Sequence, residues 1–424
     1  MKKPEQRKPA QNKTYAKTPN PYLKKVNPQT VERQKKHFRA QLKEAVEAVF
    51  KEGTYLDKAI EKIFKKNKKW RGYEKRTFVE TINGMLKNWR LLVALEGLQD
   101  KEIFRNFYDL IDVWEWLSNK TKHDNNEKLK ERLIRFKKSP AVYYSFPDWQ
   151  AELFKKEIPH KWEKVLASLN GTAPHTVRLN PLKASTTEFF EFLNEAQIQI
   201  EKNDVSYYAY DVITYGGLFR TEAFKNGWFE LQDAASQEVS VGLDVQPGMR
   251  VIDACAGAGG KSLHLAALMQ NKGKIIALDT KAYKLQELKR RSARAGASII
   301  EAKEIDSTKV IKRLKETADR VLIDAPCTGT GVYRRNPDAK WRLKQEDITR
   351  VLEQQYDILT KYSEMVKVGG KLVYATCSVL PSEGEKQVER FINENPGWEL
   401  EKEARFWPDE VGTDGFYLAR LIKK

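Results

Sequence analysis

The stretch Val321-Leu-Ile-Asp-Ala-Pro-Cys-Thr-Gly-Thr-Gly331 joins a short apolar run to a loop with a carboxylate, a thiol and glycines. Its first three residues predict a strand that is buried on both faces of a parallel sheet. The strand must end near Asp324, because Pro326 cannot donate to a further ladder hydrogen bond. Asp324 and Cys327 would then lie at the carboxyl end of a buried strand, where open α/β sheets hold their ligands. Taken alone, the stretch fits a tight turn with a buried cysteine equally well.

Strand and helix patterns alternate along the chain on both sides of this stretch. The candidate strands are Arg250–Ala254, Lys274–Asp279, Ile299–Ala302, Arg320–Asp324 and Lys371–Thr376. The helical patterns are Lys261–Met269, Ala282–Ala295, Asp347–Val366 and Glu383–Glu394. Alternation of this kind predicts an α/β fold with a doubly wound, mainly parallel sheet and helices on both faces. We therefore expect residues 246–424 to form a Rossmann-like domain.

The composition limits the compartment and the class of partner. The 424-residue chain has a net charge of +18, which favours a polyanionic partner. Its only cysteines are Cys255, Cys327 and Cys377, and no C-x-x-C pair occurs, so neither a metal site nor a disulfide framework is expected. A reducing cytoplasm fits this usage. No signal peptide or long apolar span is evident, which argues against a membrane protein.

The first half of the chain divides into four segments. Residues 1–35 predict a disordered basic arm, since Met1–Arg39 carries twelve Lys or Arg against two Glu. Such an arm either grips phosphates or only keeps the chain soluble. Apolar residues at helical spacing predict an α-helical bundle over residues 36–137. Residues 138–170 are interpreted as a linker helix, and residues 171–245 as a small α+β subdomain.

A glycine-containing loop follows the first strand of the Rossmann-like domain. Glycine allows a ligand to approach the backbone closely, and the next helix offers free N–H groups at its start. An acid at the end of the second strand can accept hydrogen bonds from ribose hydroxyls. Asp306, beyond the third strand, is either an adenine contact or a surface turn. The candidate cofactor-binding residues are Cys255, Ala256, Gly257, Ala258, Gly259, Gly260, Lys261, Asp279, Asp306 and Asp324.

A second thiol is expected beside the first. Cys377 follows the fifth strand, and strands four and five are neighbours in the usual nucleotide-binding topologies, so Cys327 and Cys377 should face one pocket. A thiolate suits addition to an electron-poor ring carbon. Lys261 and Arg334 or Arg335 are candidates for lowering the pKa of a thiol there.

Together these motifs resemble the RNA cytosine-5 methyltransferases that use S-adenosylmethionine, in particular their bacterial ribosomal RNA branch. The matching stretches are Asp253–Lys261, Asp324–Cys327, Thr376–Ser378, Arg334–Trp341 and Asp414–Tyr417. Val177–Asn180 and Gln232–Ser236 resemble the family's small N-terminal subdomain. The helical bundle resembles, more weakly, the antitermination-factor-like (NusB-like) domain of that branch. Ala258 stands where the family commonly has Pro, so we expect a less rigid loop.

The resemblance implies a division of roles among four catalytic residues. Cys377 would add to carbon 6 of cytosine, Asp324 would hydrogen-bond the ring nitrogen, Lys261 would orient the base, and Cys327 would assist elimination. DNA cytosine methyltransferases attack with the Pro-Cys thiol instead, and spacing alone does not decide between the two cysteines. A target base in a duplex must first be extruded.

The resemblance also implies the cofactor and the partner. S-adenosylmethionine would donate the methyl group, and the substrate would be small-subunit ribosomal RNA, with transfer RNA next. We expect no metal and no membrane association, and a monomer is favoured. Two rivals are a nicotinamide-dependent oxidoreductase, which explains neither Cys377 nor the basic arm, and a non-catalytic RNA-binding assembly factor. The second should have lost a catalytic residue, yet all four are present.

Overall fold

The computed structural model describes residues 28–118, 126–214 and 217–424. The helices in these ranges are α1 (Pro28–Glu52), α2 (Leu56–Lys66), α3 (Gly72–Lys87), α4 (Trp89–Glu96), α5 (Phe107–Ser118), α6 (Glu127–Phe136), α7 (Pro140–Tyr143), α8 (Asp148–Glu157), α9 (Trp162–Leu169), α10 (Thr186–Glu195), α11 (Glu222–Lys225), α12 (Ala234–Gly242), α13 (Gly260–Leu268), α14 (Ala282–Ala295), α15 (Thr308–Arg313), α16 (Ala339–Arg342), α17 (Gln345–Ser363), α18 (Glu385–Glu394) and α19 (Pro408–Val411). The strands are β1 (Thr176–Leu179), β2 (Ile200–Lys202), β3 (Ala209–Val212), β4 (Phe229–Leu231), β5 (Arg250–Asp253), β6 (Lys274–Asp279), β7 (Ile300–Glu304), β8 (Ala318–Asp324), β9 (Val366–Thr376), β10 (Trp398–Phe406) and β11 (Phe416–Lys423). Within the described ranges, no helix is long and apolar enough to cross a bilayer.

Helices α1 to α6 form the expected bundle around one apolar core, in which Val46, Ile63, Phe78 and Leu86 are buried. The apolar residues at helical spacing therefore mark the buried faces. The predicted arm was wrong in its last eight residues, because α1 begins at Pro28 rather than after residue 35. The residues after Val31 are mainly Glu, Arg, Gln and Lys, which favour helix. Their high charge was interpreted as a sign of disorder, although the same residues suit the exposed start of a helix. The rest of the predicted arm, residues 1–27, lies outside the described residues.

The segment over residues 138–170 is not a single linker helix. It folds into the short helices α7, α8 and α9, and its Phe146, Phe154 and Leu166 make a small apolar core with Tyr333 of the later half. Proline at 140 and 147 prevents one continuous helix. The segment is consequently packed structure between the bundle and the second half of the chain.

The small subdomain has a four-stranded antiparallel sheet in the order β2-β3-β1-β4, with α10 against it. This agrees with the predicted α+β unit. Its last helix, α12, packs instead on the larger sheet through Ala235, Val239 and Leu243. The larger sheet therefore receives a helix from before residue 246.

The larger sheet has seven strands in the order β10-β11-β9-β8-β5-β6-β7. Strands β9, β8, β5, β6 and β7 run parallel, as predicted, while β11 pairs antiparallel with both β9 and β10. Apolar cores lie on both faces of the sheet, which makes the domain doubly wound. The order of strands brings the carboxyl ends of β6, β5, β8 and β9 to one edge, where the candidate residues lie.

Candidate active site

The glycine loop runs from the end of β5 into α13 and leaves one side open. Gly257 and Gly259 have φ values of +55° and +88°, a region that favours glycine. A Cβ at Gly259 would lie 2.6 Å from Leu288 Cγ, whereas a Cβ at Gly257 or Gly260 would meet no atom within 4 Å beyond its chain neighbours. The first N–H groups of α13 have no acceptor within their own helix. The loop can therefore receive a ligand against its backbone.

Asp279, the last residue of β6, lies against this loop. Its Oδ2 accepts a hydrogen bond from the Gly257 N–H at 2.9 Å, and its Oδ1 accepts one from the Lys281 N–H at 2.8 Å. A carboxylate has about four lone-pair sites, so both oxygens keep capacity for a further donor. Two ribose hydroxyls are donors of the required kind.

Two arginines hold the glycine loop from outside. Arg291 of α14 donates to the Ala258 carbonyl at 2.9 Å and pairs with Glu230 of β4, also at 2.9 Å. Arg178 of β1 donates to the Gly260 carbonyl at 2.8 Å and is buried, which lowers its pKa to about 9. The loop is thus fixed to the small subdomain at the position where the family's proline is missing.

Lys261 and Asp324 form an ion pair at the mouth of the loop. Lys261 lies in the first turn of α13, and its Nζ donates to Asp324 Oδ2 at 2.6 Å. Burial disfavours the ammonium group, but the charge and hydrogen bond of Asp324 outweigh it and raise the pKa of Lys261. The lysine is therefore a charged donor at the end of β8.

The two cysteine sulfur atoms are in contact, as the adjacency of β8 and β9 predicted. Cys327 Sγ lies 3.3 Å from Cys377 Sγ, and both are free thiols that remain half-buried. The hydrogen bond with Cys377, together with burial and the nearby charge of Glu383, raises the pKa of Cys327 well above its usual range. Cys327 therefore retains its proton and can donate it in a hydrogen bond to the Cys377 sulfur.

Comparison with known families identifies this arrangement. The family described as 16S rRNA methyltransferase RsmB/F matches residues 240–422, and its ferredoxin-like domain family matches residues 146–211. The probable ribosomal RNA small subunit methyltransferase B of Bacillus subtilis (strain 168) is 34% identical in an alignment 303 residues long, which covers 67% of this chain and 68% of that protein. The chain belongs to the RsmB/F family of methyltransferases.

Solved structures share the fold of this RsmB/F chain. The crystal structure of PH0851 covers 91% of this chain and 99% of its own, with a TM-score of 0.73 and 26% identity. NSun6 from Pyrococcus horikoshii with SFG has a TM-score of 0.60 over 66% of this chain and 98% of its own, and its 21% identity supports the fold alone. The cofactor of this RsmB/F methyltransferase is S-adenosylmethionine. The residues present fit it, since the loop leaves an open side at Gly257 and Gly260 and Asp279 keeps acceptor capacity.

Two residues of the predicted cofactor set have different surroundings from the rest. Asp306 is exposed, and its Oδ1 accepts a hydrogen bond from the Ser307 hydroxyl at 3.0 Å. The preceding Ile305 N–H donates to the Asp279 carbonyl at 3.0 Å, which keeps Asp306 near the end of β6. Cys255 packs against the apolar core, and burial raises the pKa of its thiol well above its usual range. The adenine contact of Asp306 and the place of Cys255 in the cofactor site both stay predictions.

Arg334 and Arg335 are engaged away from the thiols. Arg334 Nε donates to Asp414 Oδ1 at 2.9 Å. Arg335 also pairs with Asp414, and it donates to Asp233 Oδ2 at 2.9 Å and to the Pro174 carbonyl at 2.9 Å. These contacts join the segment that carries Arg334 and Arg335 to the loop around Asp414 and to the small subdomain. They give the two arginines a structural role in the RsmB/F site instead of the predicted effect on a thiol.

The same stretch continues into the N-terminal bundle. Trp341 Nε1 donates to the Leu86 carbonyl at 2.8 Å, and its ring lies 5.9 Å from that of Phe50. Lys340 is fully buried, and its Nζ donates to the Lys87 carbonyl at 2.9 Å and to Asn170 Oδ1 at 2.8 Å. The loop that begins at Cys327 is therefore connected directly to the bundle.

Two buried acids near the site were not predicted as functional. Asp253, the end of β5, accepts a hydrogen bond from the Ser262 hydroxyl at 2.6 Å. Burial raises the pKa of Asp253 to about 6, although the Ser262 hydrogen bond opposes the shift. Glu383 is fully buried between the two cysteine loops. Its only sequence signal is an acid that follows the apolar Val379-Leu-Pro segment after Cys377.

Proposed function

We propose that this chain transfers a methyl group from S-adenosylmethionine to carbon 5 of a cytosine in RNA. The observation that carries the proposal is the contact of Cys327 and Cys377 at 3.3 Å, beside the Lys261–Asp324 ion pair. Methyl transfer to an oxygen or to an amino group needs no thiol. Two thiols in contact suit a ring carbon that must first be activated by covalent addition and later released.

The RNA that we propose is small-subunit ribosomal RNA. The Bacillus subtilis relative is named as a methyltransferase of that RNA, and the net charge of +18 suits a polyanion. Transfer RNA is the second candidate substrate. A non-catalytic assembly factor is disfavoured, because Lys261, Asp324, Cys327 and Cys377 are all present and in contact as pairs.

In the first step, the Cys377 sulfur forms a bond to carbon 6 of the cytosine. Electron density then moves through the ring toward its nitrogen 3 and toward carbon 5. The thiol proton of Cys377 leaves to solvent, and nitrogen 3 takes up a proton from solvent as charge develops there. The new ring N–H then donates to the Asp324 carboxylate, which Lys261 holds at 2.6 Å. Carbon 5 becomes nucleophilic as a result. S-adenosylmethionine supplies the electrophilic methyl group.

In the last step, the product must be freed from the protein. The proton on carbon 5 leaves to solvent, and the bond between carbon 6 and the Cys377 sulfur breaks. Cys327 retains its proton because its pKa is raised, so it can donate a hydrogen bond to the departing sulfur. Stabilising the Cys377 thiolate favours elimination over renewed addition of its sulfur to carbon 6.

A single denaturing gel tests this division of labour. Cys377→Ala should lose turnover and form no RNA–protein adduct, since no covalent route remains. In the Cys327→Ala variant, Cys377 should still add to the cytosine and the methyl group should still be transferred. The methylated RNA should be released slowly, so a shifted protein–RNA band should accumulate. Both variants are incubated with substrate RNA and S-adenosylmethionine. An adduct in the Cys377→Ala lane would reverse the assignment, and a near-normal Cys327→Ala enzyme would reduce Cys327 to packing.

A further inference from the structure

Glu383 is connected to both cysteine loops through one carboxylate. Its Oε1 accepts from the Thr328 N–H at 2.8 Å, and its Oε2 accepts from the Thr328 and Ser378 hydroxyls, each at 2.5 Å. Thr328 directly follows Cys327, and Ser378 directly follows Cys377. We propose that Glu383 is a positioning residue that ties these two loops together and so keeps the two cysteine sulfur atoms in contact.

The carboxylate is itself firmly held. Gln355 of α17 donates to Glu383 Oε1 at 2.9 Å and to the Pro326 carbonyl at 3.1 Å, which adds a second link to the Cys327 loop. The backbone carbonyl of Glu383 accepts from the Tyr374 hydroxyl at 3.0 Å and from the Thr376 hydroxyl at 3.3 Å, so it is anchored on β9. Four donors on two oxygens compensate for complete burial of the group.

Removing the tie should therefore affect both thiols. Without the carboxylate the two loops remain joined further along, by the Gly331 N–H that donates to the Cys377 carbonyl at 3.0 Å and by the Thr330 and Ser378 hydroxyls at 2.8 Å, but the link next to the thiols is lost. Misplacement by about 1 Å can cost about 100-fold in rate. The charge of Glu383 also contributes to the raised pKa of Cys327, so its loss should make that thiol easier to ionise. Cofactor binding should be spared, since the glycine loop follows β5 and Asp279 ends β6, whereas the two cysteine loops follow β8 and β9.

The test measures the distance between the thiols without RNA or cofactor. In a Cys255→Ala background the full-length chain keeps only Cys327 and Cys377, and dibromobimane fluoresces once two thiols have each displaced one bromide to form a bridge. Monobromobimane, which labels a single thiol, reports how readily the thiols react, and relative to that rate Glu383→Gln should slow the bridging by about tenfold or more. Glu389→Gln, which makes the same change on the exposed face of α18, is the matched control and should bridge like the parent protein.

Kinetics in the chain with all its cysteines give the second readout. Glu383→Gln should lower kcat by about 100-fold while KM for cofactor and for RNA stays within about twofold, the signature of lost alignment rather than lost binding. The kinetic expectation rests on the proposed function, whereas the bridging expectation does not. If the parent protein methylates no cytosine, but its two thiols are bridged rapidly and Glu383→Gln slows that bridging, the proposed function fails and the positioning role of Glu383 is supported.

Smaller substitutions keep the inference falsifiable if Glu383→Gln does not fold. Thr328→Val removes one hydroxyl donor on the Cys327 side, and Ser378→Ala removes the one on the Cys377 side. Each should slow bridging by a smaller factor than Glu383→Gln. Parent-like bridging in a folded Glu383→Gln protein, or in both of these variants, would overturn the positioning role.

Discussion

Replacing Asp253 by Asn should change how the free energy of unfolding depends on pH. Asp253 is fully buried at the end of β5, and its pKa in the folded protein is raised from 3.8 to about 6. Between these two values the folded state binds more protons than the unfolded chain. The free energy of unfolding of the natural protein must therefore fall as pH rises through this window.

The structure sets the size of the effect. A shift of this extent corresponds to about 3 kcal/mol above the window, because one pKa unit is worth about 1.4 kcal/mol. About 2 kcal/mol of that cost should develop between pH 4.5 and 7.5, since part of it is already present at the lower pH. Asn cannot titrate, so Asp253→Asn avoids the cost. Any penalty from burying its amide group is the same at every pH.

The assay is the difference in Tm between Asp253→Asn and the natural protein across that pH range. For a domain of this size, about 2 kcal/mol corresponds to a change of about 4–8 °C in favour of the variant as pH rises. Ser262→Ala removes a hydroxyl donor that lowers the pKa of Asp253, so in that protein the window should move to higher pH. A difference in Tm that stays flat with pH would refute the reasoning.

Two further predictions concern the ligands. Asp279→Ala should weaken S-adenosylmethionine binding by about 1.5–3 kcal/mol, as expected for a hydrogen bond to a charged group, and calorimetry that shows undiminished affinity would remove Asp279 from the ribose site. Deleting residues 1–27, which precede α1, should weaken RNA binding and flatten its salt dependence by roughly 0.7 in the slope per lost phosphate contact. If neither quantity changes, the arm affects solubility only.

The parallel part of the sheet could be predicted from the sequence, whereas its antiparallel edge could not. Buried parallel strands such as β8 appear as continuous apolar runs between polar residues, and the alternation with helices orders them. Strand β10 contains Glu and Lys at most of its central positions, as suits an exposed edge strand, and local propensity disfavours it. Its pairing with β11 depends on tertiary contacts that no local pattern contains.

The candidate site shows the same division between local and distant signals. Cys327 and Cys377 could be paired in advance, because strand adjacency follows from the topology. The contacts of Glu383 could not, since they join residues 55 apart in the chain through an acid that reads as a surface group. Arg334 and Arg335 were misjudged for a related reason, because their partner Asp414 lies about 80 residues further along. Buried polar contacts of this kind depend on loop packing.

The contact of Trp341 with the N-terminal bundle has a consequence for how the chain is made. Its acceptor, the Leu86 carbonyl, precedes it by 255 residues. The bundle ends at Phe136, 205 residues before Trp341, and ribosomes add about 5–20 residues per second, so the bundle is complete roughly 10–40 s before the tryptophan that packs beside Phe50. The bundle is therefore completed by the second half of the chain, and translation that stops between the two would leave an aromatic edge open to other nascent chains.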